Sequence, residues 1–516
     1  MIRHYIKNLS AALALLAPVS LMALEKEGET WLISSADELI EFAQMVNSGE
    51  ASSNGYGDVY ACLTADIDLR GRETDFPMIG TAERAYQGNF NGQLHSITFN
   101  LETASDNSGL FAYLNGTVQN LCVNGSMTVN HNSCGVIAGN ASGFASIQNC
   151  TSNVDITINE GRNIGGLVGF SVGHNWPPYI RIENCIYTGH IMGHTANSAG
   201  IVGFCYSGDG GGNQTIIKNC LVMGEFDIEI ENDYNHIIAC GEVPAASVTN
   251  CYYVHPAGIG VKEGQEIIQV TMEQVQSGEA CYLLNVSEYK WGGIVRSTFF
   301  RQNIGEDKIP VFDPMHGVVA KIGPEGYATW AGGNFNNDIW GYNAARVAEG
   351  VKAYAGTIKG HSLQLHPVEV MNGYNGNGYV IKGEPGYYSF MPTSEEPTDV
   401  ENDLGGGNDV CDVRWAIYYV LAVKDDVLGF YKVDQSGNAI DSHTAYLVNP
   451  NFDEDVKMIT LIFDDEATGI ETVHKAEPIA HSKVYDLSGR SIEKLQNGRS
   501  SLRKGVYIVN EKKVLK

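Results

Sequence analysis

The sequence predicts an all-β protein, with a β-solenoid in the N-terminal half followed by a β-sandwich and a small C-terminal β domain. The main observation is an Asn-Cys pair that recurs with steps of 35, 35 and 31 residues between the cysteines. A fixed period of about 20 to 50 residues is typical of stacked-repeat architectures. The four pairs are Asn149-Cys150, Asn184-Cys185, Asn219-Cys220 and Asn250-Cys251.

Each repeat also contains short β-rich runs separated by Gly, Asn, Ser or Asp. In the clearest copy, Ile180 and Ile182 alternate with Arg181 and Glu183, which places the apolar side chains on one face of a strand. One such unit cannot bury this face alone, whereas stacked coils pair every strand with its equivalents about 4.8 Å above and below. A glycine opens most of the apolar runs, and we expect these glycines to form tight corners with positive φ.

The repeated Asn-Cys step has a structural interpretation. A side chain at one position of every coil forms a ladder, in which Asn amides can hydrogen-bond to each other while Cys behaves as a small buried hydrophobe. Cys122, which follows Asn120 in a weaker copy of the repeat, is assigned to the same column. Eleven cysteines in an exported chain would first indicate disulfides, and neighbouring rungs leave that alternative open. Because parallel in-register side chains seldom satisfy disulfide geometry, we predict free, buried thiols.

Residues 1–23 have the pattern of a secretory signal peptide. Arg3 and Lys7 precede an apolar core at residues 9–16, and a passable cleavage site follows at residues 21–23. That core is too short to span a bilayer and no later run approaches about 18 apolar residues, so we expect no transmembrane segment. The formal net charge of −27 argues against nucleic acid and anionic lipid as partners. The pattern predicts an exported, soluble protein.

A short amphipathic helix is predicted ahead of the coils. Ser35 and Glu38 match a capping box, and an apolar stripe ends near Gly49. Such a helix can cover the first coil and protect its open edge. The stripe consists of Leu39, Phe42, Ala43 and Val46.

Four segments in a fixed order resemble the GLUG-repeat proteins of bacterial surfaces, and the Gly-apolar-apolar-Gly runs follow them. The segments are residues 31–35, 63–69, 79–80 and 90–97, and the resemblance covers about residues 25–254. It implies right-handed β-solenoid coils within large adhesin-like or protease-associated surface proteins, in which the repeats are not themselves catalytic. This chain departs from the family by having Ala for the second Gly in several coils, which affects the corners but not the class of fold.

Residues 271–285 predict a helix with Met272, Val275 and Tyr282 on one face, although Gly278 lies inside it. From residue 315 onward, short strands separated by turn signals favour an antiparallel sandwich. Seven carboxylates between residues 394 and 412 lack the spacing of a calcium loop, so we expect a solvated, disordered loop rather than a calcium site. The predicted strands are 326–330, 378–382, 416–423, 429–432, 445–447 and 458–463.

The C-terminal segments 484–490 and 504–510, with a basic tail at 512–516, resemble the sorting domains of type IX secretion cargo. The resemblance implies outer-membrane secretion machinery as a partner and a location outside a Gram-negative cell, secreted or on its surface. A terminal β domain without a sorting role is the alternative. The chain thus divides into a signal peptide (1–23), N-terminal cap and first coils (24–101), GLUG-like solenoid repeats (102–256), connector with a short helix (257–314), β-sandwich (315–468) and sorting-like domain (475–516).

The predicted recognition surface lies on insertion loops at the edge of the solenoid. Trp176 and Tyr179 on one loop, and Tyr206 at the start of another, could contact a glycan or a protein ligand through their rings. Packing of Trp176 against its own coil is the alternative. We therefore predict an adhesin-like binding protein in which the Asn-Cys ladder is scaffold and the edge loops carry recognition.

The alternative function is a β-helix polysaccharide lyase or hydrolase. Such a site needs clustered carboxylates, but the acidic residues of the repeats fall at different phases, so no catalytic residue is assigned. No cofactor or metal is expected, because no Cys-x-x-Cys occurs and His190 and His194 are better explained as a solvated or packed pair. The acidic residues are Asp155, Glu160, Glu183, Asp209 and Glu225.

Overall fold

The computed structural model confirms the prediction of a mostly β protein. The predicted signal peptide lies outside the described residues, and so do most residues of the predicted sorting-like domain. The residues that the structure describes are 24–51, 59–173, 180–195, 197–206, 215–230, 237–241, 246–255, 266–331, 344–374, 376–434, 439–448, 456–465, 484–485, 506–509 and 512–515.

Residues 24–269 form stacked coils, and we name this part the coil stack. A complete coil contributes one strand to each of four sheets, which we name A to D and define below. In one coil, segment 134–135 belongs to sheet D, 138–142 to sheet C, 146–148 to sheet A and 151–158 to sheet B. Apart from one antiparallel pair at the start of sheet A, the strands pair in parallel with the equivalent strands of neighbouring coils. Several parallel sheets wound by one chain in this way are consistent with a β-helix.

Within each sheet of the coil stack, strands from successive coils lie side by side. Sheet A contains Glu25–Glu27, Thr30–Ile33, Tyr60–Leu63, Asn89–Asn91, Thr117–Gln119, Ser146–Gln148, Ile180–Glu183, Thr215–Lys218 and Ala246–Thr249. Sheet B contains Ile67–Asp68, Ser96–Glu102, Cys122–Val129, Thr151–Ile158, Ile186–Tyr187, Leu221–Val222, Cys251–Tyr253 and Ile267–Gln269, with Ile191–Thr195 and Phe226–Ile230 beside them. Sheet C contains Phe111–Leu114, Ala138–Ser142, Val168–Val172, Val202–Tyr206 and Ala239–Gly241, and sheet D contains Cys134–Gly135, Ile164–Gly165 and Ser198–Ala199.

The first helix, α1, spans Ala36–Ser48 and covers the beginning of the coil stack. Ser35 caps it by accepting a hydrogen bond from the Glu38 amide, and Gly49 ends it at a φ of +89°. The Glu38 carboxylate accepts from the amide of Ser34 at 2.6 Å instead of closing the predicted box on Ser35. The ring of Phe42 lies 6.2 Å from that of Tyr86, so the apolar stripe packs into the core of the first coils.

The corner glycines do not have the positive φ that the sequence predicts. Gly135 and Gly166 have ordinary φ, and their hydrogens occupy places where a Cβ would collide with the next coil. A Cβ on Gly166 would lie 2.1 Å from the carbonyl oxygen of Gly200, and one on Gly135 would lie 2.3 Å from the amide nitrogen of Gly169. These glycines therefore allow neighbouring coils to approach closely, which is a non-local requirement.

The predicted helix at residues 271–285 is divided in two by Gly278. Helix α2 spans Met272–Gln276 and α3 spans Glu279–Leu284, with Gly278 between them at a φ of +87°. A capping box between Thr271 and Gln274 starts α2. The two helices pack on the outside of sheet B in a cluster whose buried members include Ile186, Leu221, Tyr252, Val275, Cys281 and Phe300.

The C-terminal half contains two larger sheets that enclose a hydrophobic core. All their pairings are antiparallel except that of Ser362–Val368 with Met458–Phe463. One sheet contains Val318–Ile322, Gly386–Thr393, Ala344–Arg346 and Val370–Asn372. The other contains Tyr327–Ala331, Gly378–Lys382, Lys352–Lys359, Ser362–Val368, Met458–Phe463, Val427–Lys432, Tyr418–Lys424 and Tyr446–Val448.

Ala353 and Ala355 face the four-stranded sheet, while Tyr354 between them belongs to a second buried cluster on the opposite face. Smaller elements complete this half. They are the hairpin Val286–Lys290 with Gly293–Arg296, the pair Cys411–Asp412 with Ala439–Ile440, the 3-10 turn Val413–Trp415, and a terminal antiparallel sheet of Val484–Tyr485, Val506–Val509 and Lys512–Leu515.

The acidic stretch at residues 394–412 differs from the expected solvated, disordered loop, because part of it packs along the eight-stranded sheet. The Asn402 side chain accepts a hydrogen bond from the amide of Gly356 at 2.9 Å, and Asp403 accepts from the amide of Ile358 at 2.7 Å. Leu404 is buried between these contacts and the sheet. Within the described ranges, no helix has the length and apolar character needed to cross a membrane.

Candidate functional site

The asparagines of the repeat form a continuous ladder along the coil stack. In each step the amide nitrogen of one Asn donates to the amide oxygen of the Asn one coil earlier. The bonds join Asn120 to Asn91 (3.1 Å), Asn149 to Asn120 (3.1 Å), Asn184 to Asn149 (3.1 Å), Asn219 to Asn184 (3.0 Å) and Asn250 to Asn219 (2.9 Å).

The ladder asparagines also form a left-handed turn in the backbone of each coil. The five asparagines from Asn120 to Asn250 have φ between +50° and +56°, a left-handed conformation that Asn tolerates better than most residues. The last amide, Asn250, donates in addition to the carbonyl of Leu283 at 3.1 Å, and the hydroxyl of Tyr252 donates to its oxygen at 2.6 Å. The connector after the coil stack therefore closes one end of the ladder.

The cysteine after each of the last four asparagines points into the core. Each thiol lies 3.2–3.4 Å from the carbonyl oxygen two residues earlier in the chain and can donate a hydrogen bond to it. All eleven cysteines are free thiols, so neighbouring rungs are not bridged. Burial raises the pKa of Cys185 and of Cys251 well above the ordinary value for a thiol. The four are Cys150, Cys185, Cys220 and Cys251, all completely buried.

Cys122 does not belong to this column, contrary to the sequence prediction. Its strand partner is Thr151, so Leu121 takes the position equivalent to Cys150 and is buried in the core. Because successive side chains of a strand point to opposite faces, the offset of one residue turns Cys122 outward. There its thiol lies 3.6 Å from the side-chain oxygen of Asn124.

Aromatic side chains form a ridge on the outer face of sheet C. Phe170 and Phe204 are direct partners in adjacent strands, and their rings stack at 5.9 Å between centroids with 7° between planes. Tyr206 extends the ridge, with its ring 6.3 Å from that of Phe170 and 36% of its surface exposed. We name these three residues the aromatic ridge.

Of the three predicted binding residues, the structure describes Tyr206, which lies in the aromatic ridge, whereas Trp176 and Tyr179 lie outside the described residues. Phe170 and Phe204 were not predicted as binding residues from the sequence. The sequence does contain a pattern that indicates them. Phe170 directly follows the Gly-apolar-apolar-Gly run at residues 166–169, and Phe204 directly follows the run at residues 200–203. A large side chain at one phase of two successive coils forms a stack in the same way as the asparagines do.

Two of the acidic side chains of the coils already have local roles. Asp155 accepts a hydrogen bond from the amide of His190 at 2.9 Å, and Glu183 lies 3.3 Å from the guanidinium of Arg181. Asp209 and the side chain of His194 lie outside the described residues. Among the side chains that the structure does describe, no group of three or more His, Cys, Asp or Glu could hold a metal ion.

Asp441, Ser442 and His443 are consecutive and include the residue types of a hydrolytic triad, but their geometry is not that of a relay. Asp441 accepts from the amide of Ile294 at 2.8 Å, and Ser442 accepts from the amide of Arg296 at 2.7 Å. The ring nitrogens of His443 lie 3.2 and 3.4 Å from two backbone carbonyls, and burial lowers its pKa. The three side chains therefore hold the hairpin of Val286–Lys290 and Gly293–Arg296 against the C-terminal sheets.

A cavity of about 110 Å³ lies beside this loop, where the connector meets the C-terminal sheets. Five segments contribute to its wall: helix α3 with Asn285, the hairpin end at 296–298, the two strand segments 318–321 and 329–331, and the loop 441–444. Trp330 contributes an aromatic ring to the wall, and Arg296 and Lys321 contribute positive charge. Clefts between structural units are common places for small-molecule sites.

No protein-family model matches the chain. A stretch of 141 residues, 26% of the chain, is 30% identical to halomucin of Haloquadratum walsbyi, and the match spans only 2% of the length of halomucin. The chain is also similar to the crystal structure of a candidate immunoglobulin A1 protease from Bacteroides ovatus, with 18% identity over 56% of this chain and 94% of that chain, and a TM-score of 0.38. At that TM-score the likeness carries no argument about fold or activity.

Proposed function

We propose that the chain is an exported, adhesin-like binding protein, located on the surface of a Gram-negative cell or released from it. In this proposal the coil stack is a right-handed β-solenoid that serves as scaffold, and the C-terminal sheets form a β-sandwich. The resemblance of residues 25–254 to GLUG-repeat proteins and the signal-peptide pattern of residues 1–23 support this location. The resemblance of the C-terminal residues to sorting domains supports outer-membrane secretion machinery as a partner.

The aromatic ridge is the single observation that carries the binding function. Phe170 and Phe204 occupy outward positions of sheet C, where a solvent-facing strand normally has polar side chains. Adjacent apolar rings on a strongly acidic protein are more costly to leave in water than polar residues would be, and such patches often mark interaction sites. The loops with Trp176 and Tyr179, and the chain after Tyr206, begin where these strands end.

The ligand class proposed is a glycan or a protein, bound along the ridge. Stacked rings present C–H edges to the outside, and the Tyr206 hydroxyl adds a polar group at the end of the row. The column continues to Asn140, the strand partner of Phe170, and to Tyr113, whose hydroxyl accepts from Asn107 at 3.0 Å. Apolar edges beside amide and hydroxyl groups suit a ligand that is itself partly polar.

Arrays of glycans and of host surface proteins, probed with the mature chain, test the proposal. We expect the wild-type chain to bind at least one class, and the substitution Phe204→Ser to abolish that binding while the chain stays folded. Phe144→Ser is the matched control, because Phe144 is equally aromatic, is 67% exposed and does not belong to the ridge. Turnover of a uronate polymer without stable binding would instead support a polysaccharide lyase or hydrolase.

A further inference from the structure

The cavity beside Arg296 differs in charge from the rest of the protein. The chain has a net charge of −27, yet the cavity has two cationic side chains, Arg296 and Lys321, and one carboxylate, Asp441. One oxygen of Asp441 already accepts a hydrogen bond from the amide of Ile294 at 2.8 Å. A local excess of positive charge in an acidic protein favours an anionic ligand.

Arg296 is held in place but keeps donors for a ligand. Its guanidinium lies 4.1 Å over the ring of Tyr282, and Nη1 donates to the carbonyl of Tyr282 at 3.2 Å. Nε and Nη2 make no hydrogen bond to the residues that the structure describes. A positioned guanidinium with two donors remaining matches the two oxygens of a carboxylate.

The remaining wall combines hydroxyl groups with one large apolar surface. Thr298, Thr329 and Thr444 line the cavity, and their hydroxyls make no hydrogen bond within the described part of the chain. Trp330 is 4% exposed and its ring lies 6.1 Å from that of Phe390 between centroids. At 10–15 Å³ for one water, about 110 Å³ accommodates roughly seven to eleven non-hydrogen atoms.

From these observations we propose that the cavity binds a small organic carboxylate, such as a three-carbon hydroxy acid. Arg296 and Lys321 bind the carboxylate, the threonine hydroxyls bind the hydroxyl groups of the ligand, and Trp330 packs against its carbon skeleton. This site is separate from the aromatic ridge and does not depend on the proposed function. Because the walls come from both sides of the junction, the ligand also holds the connector against the C-terminal sheets.

Isothermal titration calorimetry on the full mature chain tests the proposal, with lactate and glycerate as probes and glycerol as the neutral control. We expect one carboxylate ligand bound per chain, with no heat from glycerol. A bound ligand that spans the junction also raises the unfolding temperature, which a thermal scan measures. No binding of either acid at about 10 mM, or equal binding of glycerol, overturns the proposal.

Two variants locate the binding site. Arg296→Lys keeps the charge but loses the planar fork, and Lys321→Gln removes a charge, so each weakens binding of the acids by about tenfold. Lys424→Gln is the matched control, because Lys424 lies 4.8 Å over the Tyr431 ring as Lys321 lies 5.5 Å over Tyr387, but it does not line the cavity. If Lys321→Gln binds as the wild type does, or if Lys424→Gln weakens binding equally, this cavity is not the site.

Discussion

The amide nitrogen of Asn219 donates to the amide oxygen of Asn184 across 3.0 Å, although the two residues are 35 positions apart in the sequence. Both residues are buried, and both have φ near +55°. Each asparagine therefore has two roles. Its backbone forms the left-handed turn of its own coil, and its side chain hydrogen-bonds to the asparagine of the neighbouring coil. Loss of an internal rung affects both functions, and they can be separated by experiment.

Substitution of Asn184 by Gly removes the rung while the backbone conformation stays accessible. We expect a loss of about 2–3 kcal/mol in the free energy of unfolding, because the oxygen of Asn149 and the amide of Asn219 lose a partner in a buried place. Asn184→Ala loses about 1–2 kcal/mol more, since Ala at positive φ is strained. Urea unfolding of the three proteins measures both differences. Equal stability of the Gly and Ala variants would show that the left-handed turn is not under strain.

The close approach of coils at Gly166 leads to a prediction with an internal control. Gly166→Ala places a methyl group 2.1 Å from the carbonyl oxygen of Gly200, so the coils must separate, at a cost of about 2–4 kcal/mol. Gly323→Ala introduces the same methyl group where no atom lies within 4 Å, and it should change stability by less than about 0.5 kcal/mol. Thermal unfolding compares the two variants, and similar melting temperatures would contradict the predicted crowding.

The buried thiols should be unreactive in the native protein. We expect a thiol reagent to modify Cys411, which is half-buried, well before Cys150, Cys185 or Cys220. Mass spectrometry of peptides after brief labelling, with and without denaturant, measures the order. Rapid modification of the three core thiols without denaturant would show that the column is accessible to solvent.

Replacement of Cys185 by Ser should destabilise the coil stack without affecting recognition. The hydroxyl is more costly to bury than the thiol, so we expect a loss of about 1–3 kcal/mol in the free energy of unfolding. Ligand binding on the arrays should persist at temperatures where the variant is folded, because the thiol is completely buried. Cys411→Ser provides the half-buried control, and its stability should match that of the wild type.

The free energy of unfolding should fall in alkaline solution, and ionisation of the Cys134 thiol should account for part of this fall. Burial raises the pKa of its thiol from 9.0 to about 11. Above pH 9.0 the unfolded chain releases this proton while the folded chain retains it until about pH 11, so the free energy of unfolding falls by roughly 2–3 kcal/mol over that interval. In Cys134→Ala that contribution is absent, and the fall between pH 9 and pH 11 should be smaller by the same amount. Parallel pH profiles from urea unfolding check this difference.

Deletion of residues 475–516 tests the sorting hypothesis. A signal peptide by itself delivers a Gram-negative protein to the periplasm, so a chain that acts outside the cell needs a further address. We expect the truncated chain to fold and to remain in the periplasm, which fractionation of the cells and medium measures. Normal amounts of truncated protein at the surface or in the medium would show that this segment is only a structural domain.

Local signals in the sequence predicted local structure well. Helix α1 was predicted from its N-cap, apolar stripe and terminal glycine, and all three act as expected. The strand predictions at 378–382 and 458–463 agree with the structure to the residue. Each of these elements is specified by residues only a few positions apart, so no knowledge of the packing was needed.

The features that were missed depend on contacts between distant residues. A glycine that permits a turn and a glycine that permits close approach look alike in a sequence, so Gly166 was misinterpreted. The contact of Asp403 with the amide of Ile358 joins residues 45 positions apart, and the acidic composition of its segment pointed to solvent instead. For Cys122, an offset of one residue reversed the direction of the side chain, which spacing alone does not resolve.

The ladder has a consequence for the evolution of this protein by insertion and deletion. Successive rungs from Asn120 to Asn250 are separated by 29, 35, 35 and 31 residues, yet each of these five coils returns to an asparagine in the same place. An insertion or deletion in one edge loop is therefore absorbed within its own coil, and the phase of all later coils is restored at the next asparagine. Loops of different length and composition can be exchanged one at a time, so the surface that they form can diversify while the register of the coils is inherited unchanged.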